Sequence, residues 1–209
     1  MWHAMIDTLA SWLLPLRCRV CTQAGVEGMD LCAACLQVAR ANTQACPQCA
    51  LPLALDNGGT ACGRCLRRPL PLQACHASWL YGAPMDALVQ RYKFQQDLAA
   101  GAVLVAMMLR HPPDWLAGQV LVPVPLHRQR LAQRGFDQAR EMTRLLARAT
   151  GLPRCEALQR ITNTGPQTRL DERQRRRNLR GAFVSCGSVP ASVVLVDDVM
   201  TTGATLAAA

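Results

Sequence analysis

The chain has 209 residues and half of them are hydrophobic, so it can form one medium-sized domain with a packed core and a second, small one. No run of about 18 uncharged apolar residues occurs, which argues against a transmembrane helix. The formal net charge is +9, and Lys93 is the only lysine among 23 basic residues. This arginine excess reflects either biased composition or a surface that binds phosphates through bidentate contacts.

An apolar segment opens the chain at residues 4–16, interrupted by Asp7. It has no basic region before it and no clear cleavage site, so we interpret it as an amphipathic or docking helix and not as a signal peptide. We therefore expect a cytoplasmic protein without a membrane span.

Four CxxC pairs follow, at Cys18/Cys21, Cys32/Cys35, Cys46/Cys49 and Cys62/Cys65. Each pair places two thiolates on one side of a tight turn, and two such turns complete the tetrahedral sulfur coordination that suits Zn²⁺. Four pairs predict two zinc ions. Because cysteines fill every coordination position and leave no place for water, both ions are predicted to be structural.

Other readings of the cysteines remain open. The pairs could instead be redox-active, and the pairing around zinc could be sequential or interleaved. A disulfide framework is disfavoured because no export signal is present. The isolated Cys75, Cys155 and Cys186 are interpreted as small core or surface residues.

Residues 76–209 alternate apolar runs with helical patterns, as in an α/β domain, whereas residues 1–75 carry the cysteine module. In chain order, the patterns predict a strand at 77–81, helices at 84–94 and 96–110, a strand at 120–124, a helix at 136–150 ending at Gly151, short strands at 182–185 and 193–196, and a helix from Thr205.

The segment at 193–205 reads VVLVDDVMTTGAT. Asp197 and Asp198 follow a predicted buried strand, at the edge where α/β sheets bind ligands. The small residues after them expose backbone N–H groups and hydroxyls that suit an anion: Thr201, Thr202, Gly203, Ala204 and Thr205. Carboxylates beside an anion site make sense if the ligand also carries vicinal hydroxyls, as ribose does. The alternative is an ordinary strand followed by an Asx turn.

This string resembles the phosphoribosyl pyrophosphate (PRPP) signature of type I phosphoribosyltransferases. The resemblance implies that Asp197 and Asp198 bind the ribose 2- and 3-hydroxyls and stabilise positive charge at C1. It also implies that residues 201–205 bind the 5-phosphate.

Two further stretches resemble the ComF family. Residues 122–139 read VPVPLHRQRLAQRGFDQA, where the family has a Pro-rich loop that faces pyrophosphate. The resemblance implies Arg128, Arg130 and Arg134 as pyrophosphate partners, with His127 a weaker one; Arg130 and Arg134 could also be simply solvated. Residues 160–183 match a family pattern that forms a mobile hood in related enzymes, at Arg160, Thr164, Gln167, Leu170, Arg177, Asn178, Ala182 and Phe183; the alternative is a solvated, charged helix or loop. Tyr92-Lys93-Phe94 is a weaker match.

The resemblance implies a phosphoribosyltransferase-type parallel sheet flanked by helices, with an N-terminal double zinc-ribbon module. The family continues beyond the 201–205 loop through a helix and at least one strand, so C-terminal strands are expected to be missing here.

Three functions are implied. The first is phosphoribosyl transfer, in which Mg²⁺·PRPP binds, pyrophosphate leaves C1 and an acceptor that the sequence does not identify attacks. The second is DNA handling in natural competence, with single-stranded DNA along the zinc module and residues 173–180, and with competence proteins such as a helicase as partners. The third is a PRPP sensor that binds without turnover.

Overall fold

A cysteine-rich region and an α/β region make up the structure, a computed structural model that describes residues 15–54, 58–163 and 178–209. The first region holds α1 (Ala33–Val38) and α2 (Gly63–Arg67). The second holds α3 (Met85–Phe94), α4 (Leu98–Met108), a 3₁₀ turn (Asp114–Leu116), β1 (Val120–Pro123), α5 (Arg128–Arg134), α6 (Gln138–Thr150), β2 (Leu158–Arg160), β3 (Phe183–Ser185) and β4 (Val193–Val196). The predicted α/β class is confirmed.

A parallel pair of strands, β1 and β4, positions the candidate site. Val120 lies opposite Val193 and Pro123 lies opposite Val196. Apolar runs of this kind suit parallel strands because helices cover their faces. The backbone N–H of Val124 also donates to the carbonyl of Val196 at 3.0 Å. The loops that follow β1 and β4 therefore leave the sheet side by side.

A second, antiparallel pair joins β2 to β3, with Arg160 opposite Phe183. Both residues are mostly buried. The pair therefore fixes Arg160 by backbone pairing as well as by side-chain packing.

The main core lies between α3, α4 and α6. Helix α6 begins at Asp137, whose carboxylate accepts from the N–H of Arg140, and ends at Gly151 in the left-handed conformation. Its buried Met142 packs in the same core as Leu31 and Cys32 of the first ribbon, the segment that carries the first two CxxC pairs and α1. The first half of the cysteine region is thus part of the α/β core.

Two sequence predictions differ from the structure, and helix α5 and strand β2 are not predicted from the sequence. Residues 77–81 form no strand: Trp79 makes only an isolated bridge with Ala41, and its indole N–H donates to the Met107 carbonyl at 2.8 Å. This segment is therefore held by side chains against the end of α4. From Thr205 onward the chain makes helical turns, such as the Ala207 N–H to Gly203 carbonyl bond, without a continuous helix.

Parts of two predictions lie outside the described residues: the apolar lead up to residue 14, and the hood positions Thr164, Gln167, Leu170 and Arg177. Among the helices that the structure describes, none has the length and apolar character needed to cross a bilayer.

Candidate functional site

Two clusters of four cysteines form in the N-terminal region. Within each cluster the sulfur atoms lie within 4.8 Å of one another; the first holds Cys18, Cys21, Cys32 and Cys35, and the second Cys46, Cys49, Cys62 and Cys65. The pairing is therefore sequential. The Cys62 N–H donates to the Cys46 sulfur at 3.2 Å, a contact that favours a thiolate. The clusters fit two structural zinc ions, because sulfur fills all four positions of each.

The two aspartates stand directly after β4. The N–H of Asp198 donates to Asp197 Oδ1 at 2.9 Å, which fixes the turn between them. Lys93, near the end of α3, places its Nζ 2.9 Å from Asp198 Oδ1. The only lysine of the chain thus partly neutralises the acidic pair.

Burial and, next, the charge of Asp198 together raise the pKa of Asp197 to about 7, while Lys93 acts in the opposite direction. This carboxyl therefore keeps its proton to a higher pH than an ordinary aspartate. Hydrogen-bond donors or a cation that reached it would favour its ionised form. Such a group suits a ligand that carries hydroxyls and a metal ion.

The loop after the aspartates encloses a small cavity. Asp197 lines it together with all five residues predicted to bind phosphate: Thr201, Thr202, Gly203, Ala204 and Thr205. Gly203 has φ of +73°, a left-handed conformation that residues with a side chain rarely adopt. Asp197 and the small-residue loop therefore line one cavity, and their role in binding a ligand stays a prediction. The cavity measures about 30 Å³, so a phosphate would require the loop to move outward.

A larger cavity, of about 880 Å³, borders the same aspartates on an apolar side. Its walls include Trp79, Leu121 and Val194. These side chains are apolar, and both aspartates stand at the edge of this cavity, whereas the five residues predicted to bind phosphate line the smaller cavity.

Arginines from two elements, α5 and β2, lie near the acidic edge. Arg160 is buried and its guanidinium stacks on the Phe183 ring, 5.3 Å from the centroid. Burial lowers the pKa of Arg160 and the charge of Arg130 lowers it further, whereas Asp197 acts in the opposite direction. Arg160 is therefore close enough to both Arg130 and Asp197 to interact with their charges.

Arg134 extends this basic group outward. It donates to Gln138 Oε1 at 2.8 Å and lies over the ring of Phe94, 5.6 Å from the centroid. Phe94 is 73% exposed. Burial, and then the charge of Arg134, lower the pKa of Arg130. A cation cluster of this kind favours an anionic ligand.

The remaining predicted residues have other local roles. Arg128 is the first residue of α5 and is exposed. His127 caps the same helix, because its Nδ1 accepts from the N–H of Gln129 at 3.3 Å. The sequence signal for Lys93 is weak and consists of its being the one lysine of the chain. No sequence signal indicates that Arg160 lies close to Asp197, because that position depends on tertiary packing.

Comparisons with known proteins agree with the cysteine pattern and cover most of the chain. A family model described as a double zinc ribbon domain matches residues 9–66. The DNA utilization protein YhgH of Salmonella typhimurium is 32% identical over 203 residues, which cover 93% of this chain and 88% of that protein.

Two competence proteins are also similar. Competence protein F of Haemophilus influenzae is 31% identical over 156 residues, 69% of this chain and 68% of that protein. Competence protein ComFC of Bacillus subtilis is 28% identical over 174 residues, 77% of this chain and 68% of that protein. No solved structure matches the chain significantly. The identity to the first relative over nearly the full length, with the double zinc ribbon at its N-terminus, shows that the chain belongs to the ComF family.

Proposed function

We propose that this protein binds a ribose 5-phosphate, with Mg²⁺·PRPP as the ligand, and acts in the cytoplasmic handling of DNA. The observation that supports PRPP as the ligand is that Asp197 and residues 201–205 line the same cavity. The part played by DNA rests on the names of the relatives, which describe DNA utilization and competence. Eleven cysteines without a disulfide among the described residues suit a reducing compartment.

Each part of PRPP has a candidate partner. The carboxylates of Asp197 and Asp198 would accept hydrogen bonds from the two ribose hydroxyls. Backbone N–H groups and hydroxyls of residues 201–205 would donate to the 5-phosphate. The pyrophosphate would meet arginines of the second region, namely Arg128, Arg130, Arg134 and Arg160. Mg²⁺ would bind with the pyrophosphate and reduce its charge.

The same residues fit phosphoribosyl transfer. When pyrophosphate leaves C1, positive charge develops on the sugar, and two carboxylates beside the hydroxyls stabilise it. Transfer also needs an acceptor. A sensor that binds PRPP without turnover uses the same contacts, so product formation separates the two.

The test is a calorimetric titration of Mg²⁺·PRPP into the zinc-loaded full-length protein. We expect saturable binding that is at least about tenfold weaker in the Asp197→Asn/Asp198→Asn variant, since one charged hydrogen bond contributes roughly 1.5–3 kcal/mol. Asp114→Asn is the matched control, because this exposed residue precedes β1, at the opposite end of the strand. If the folded, zinc-loaded protein does not bind PRPP, the proposal that PRPP is its ligand is refuted.

A second candidate function, single-stranded DNA binding, is favoured by the exposed Phe94 beside Arg134. An aromatic ring next to a guanidinium offers a base-stacking surface, and the other arginines offer phosphate contacts. Aromatic residues are few, so the affinity should come mainly from phosphate contacts.

Fluorescence anisotropy with an oligo-dT strand tests this candidate. We expect the affinity to fall steeply with salt and to fall about tenfold in Phe94→Ala, in line with roughly 1–3 kcal/mol for a stacked base. Leu98→Ala is the control, as another exposed apolar residue. A slope near zero in a plot of log affinity against log salt concentration would argue against single-stranded DNA binding. This result would not bear on PRPP binding.

A further inference from the structure

The second cysteine cluster packs against the loop that carries the proposed phosphate site. Leu70, which is 7% exposed, packs in one apolar cluster with the four cysteines of the second ribbon, the segment that carries the last two CxxC pairs and α2. Ala207 packs at the edge of that cluster. The ribbon and the loop therefore share one small core, although the residues that form them are far apart in the sequence.

The approach is closest at Gly203. A Cβ atom placed on this glycine would lie only 3.0 Å from Leu70 Cδ1. Next to it, the sulfur of Cys75 lies 3.3 Å from the sulfur of Met200. Two side chains of the linker that follows the ribbon thus contact the loop on both sides of Thr201 and Thr202.

Hydrogen bonds tie this linker to a zinc-binding turn. The N–H of Cys75 donates to the carbonyl of Pro47 at 2.9 Å. The side-chain amide of Gln48 donates to the carbonyl of Leu70 at 3.4 Å. Pro47 and Gln48 are the two residues between Cys46 and Cys49, so the turn that would hold zinc also holds the linker.

The first cysteine cluster has different neighbours. Cys18 and Cys32 pack in the main core with residues of α3 and α4, such as Leu88 and Leu104. Arg19 pairs with Asp97 at the start of α4, 2.7 Å away. The two ribbons therefore support different parts of the α/β region.

We propose that the second zinc site positions the 199–207 loop, through Leu70, so that ligand binding by this loop depends on zinc at Cys46, Cys49, Cys62 and Cys65. Leu70 is a positioning residue that touches no ligand. By linkage, a change in the loop alters zinc retention at the second site as well. The ligand part of this proposal rests on the proposed function; the coupling between zinc site and loop does not.

Hydrogen–deuterium exchange of residues 199–209, with zinc content measured in parallel, tests the coupling without any ligand. In Leu70→Ala we expect two zinc ions per chain and exchange in this segment at least about tenfold faster than in the wild type. Leu70→Met should restore most of the protection. Leu36→Ala, which shortens a partly buried side chain of the first ribbon, should leave the exchange rates of residues 199–209 unchanged. Unchanged exchange in zinc-loaded Leu70→Ala overturns the proposal.

A second measurement uses a variant altered in the loop. It tests the coupling between the second zinc site and the loop even if Leu70→Ala loses zinc. Gly203→Ala leaves both ribbons unaltered but forces a side chain toward Leu70. We expect one of the two zinc ions to pass to a chelator several-fold faster than in the wild type, with the other unchanged. Equal release of both ions at wild-type rates overturns the proposal.

Calorimetry with Mg²⁺·PRPP then tests the consequence for binding. We expect an affinity at least about fivefold lower in Leu70→Ala and near the wild-type value in Leu70→Met and Leu36→Ala. A Leu70→Ala variant with fast loop exchange and wild-type affinity overturns the ligand part. A wild type that binds no PRPP refutes the proposed ligand, while the exchange and zinc-release results still decide the coupling.

Discussion

Asp197 holds its proton more tightly than an ordinary aspartate, because it is buried beside Asp198. In the unfolded chain an aspartate has a pKa of about 3.9. Between that value and about 7 the folded state therefore binds more protons than the unfolded state. The free energy of unfolding contributed by this group is intact below about pH 4 and is lost as the pH rises toward 7.

The variant Asp197→Asn should therefore lose this part of the pH dependence. We expect its melting temperature relative to the wild type to be higher at pH 8 than at pH 5 by about 5–10 °C, since the pKa difference corresponds to roughly 2–3 kcal/mol over this interval and 1 kcal/mol to roughly 2–4 °C in a chain of this size. Thermal denaturation at both pH values checks this, with Asp114→Asn as the control. Parallel pH profiles of variant and wild type would contradict it.

Lys93 balances the acidic pair from a different element. Its side chain is 22% exposed, and its ammonium contacts the carboxylate of Asp198, whose side chain is 9% exposed. Removing one partner of a mostly buried pair leaves an uncompensated charge. We expect Lys93→Met to lower the free energy of unfolding by about 1–3 kcal/mol at pH 8 and by less at pH 5. Urea denaturation measures this; Lys93→Arg, which keeps the charge, should lose less, and an equal loss in both would count against the ion pair.

At the scale of elements, the packing of α4 on α3 depends on a glycine. A Cβ on Gly101 would lie 2.4 Å from the Tyr92 ring, which is fully buried and donates to the Gln138 carbonyl. Alanine favours a helix over glycine by about 1 kcal/mol, but overpacking costs about 1–3 kcal/mol. The close approach should therefore outweigh the gain in helix propensity.

We expect Gly101→Ala to destabilise the protein by about 1–2 kcal/mol in urea denaturation. In a Tyr92→Leu background the same change should be nearly neutral, since the clashing ring is gone, and the double-mutant cycle measures this coupling. Gly63→Ala is the control, because its Cβ would meet only Arg67 at an ordinary 3.8 Å. Equal effects in both backgrounds would exclude the ring as the cause.

The sequence predicts elements well where local signals define both ends. Helix α6 has an aspartate cap and a terminal glycine, and its apolar residues follow the helical period. Helix α5 has Leu131 as its one large apolar residue, so no periodicity marks it; the His127 cap and Gly135 define it instead. The 77–81 segment has strand-like composition, but its Trp79 side chain is fixed to α4.

The residues of the candidate site also fall into two groups, those that the sequence can predict and those that it cannot. Asp197 and residues 201–205 are adjacent in the sequence, so their closeness follows from a strand and its loop. Lys93, Arg160 and Leu70 come from distant elements, and only tertiary packing places them there. The roles of all these residues, and the domain boundary at residue 75, stay predictions.

At the scale of the whole molecule, the two zinc sites should differ in their effect on stability. The first lies in the main core, whereas the second shares a small core with one loop. We expect Cys32→Ser to lower the melting temperature by more than 10 °C, and by at least twice as much as Cys62→Ser, because structural zinc contributes several kcal/mol to folding. Tryptophan fluorescence with zinc counting measures this, and equal losses would contradict it.

The parallel pairing of Val120 with Val193 also orders the events of folding. Both ribbons involve contacts close in sequence and need only the first 65 residues, so they can form early in synthesis. The central pair must wait for residue 196, and closing so long a loop costs entropy before any contact forms. Until then the edge of β1 that pairs with β4 stays unpaired and open to another chain. Aggregation during synthesis should therefore begin at β1, and zinc supply alone should not prevent it.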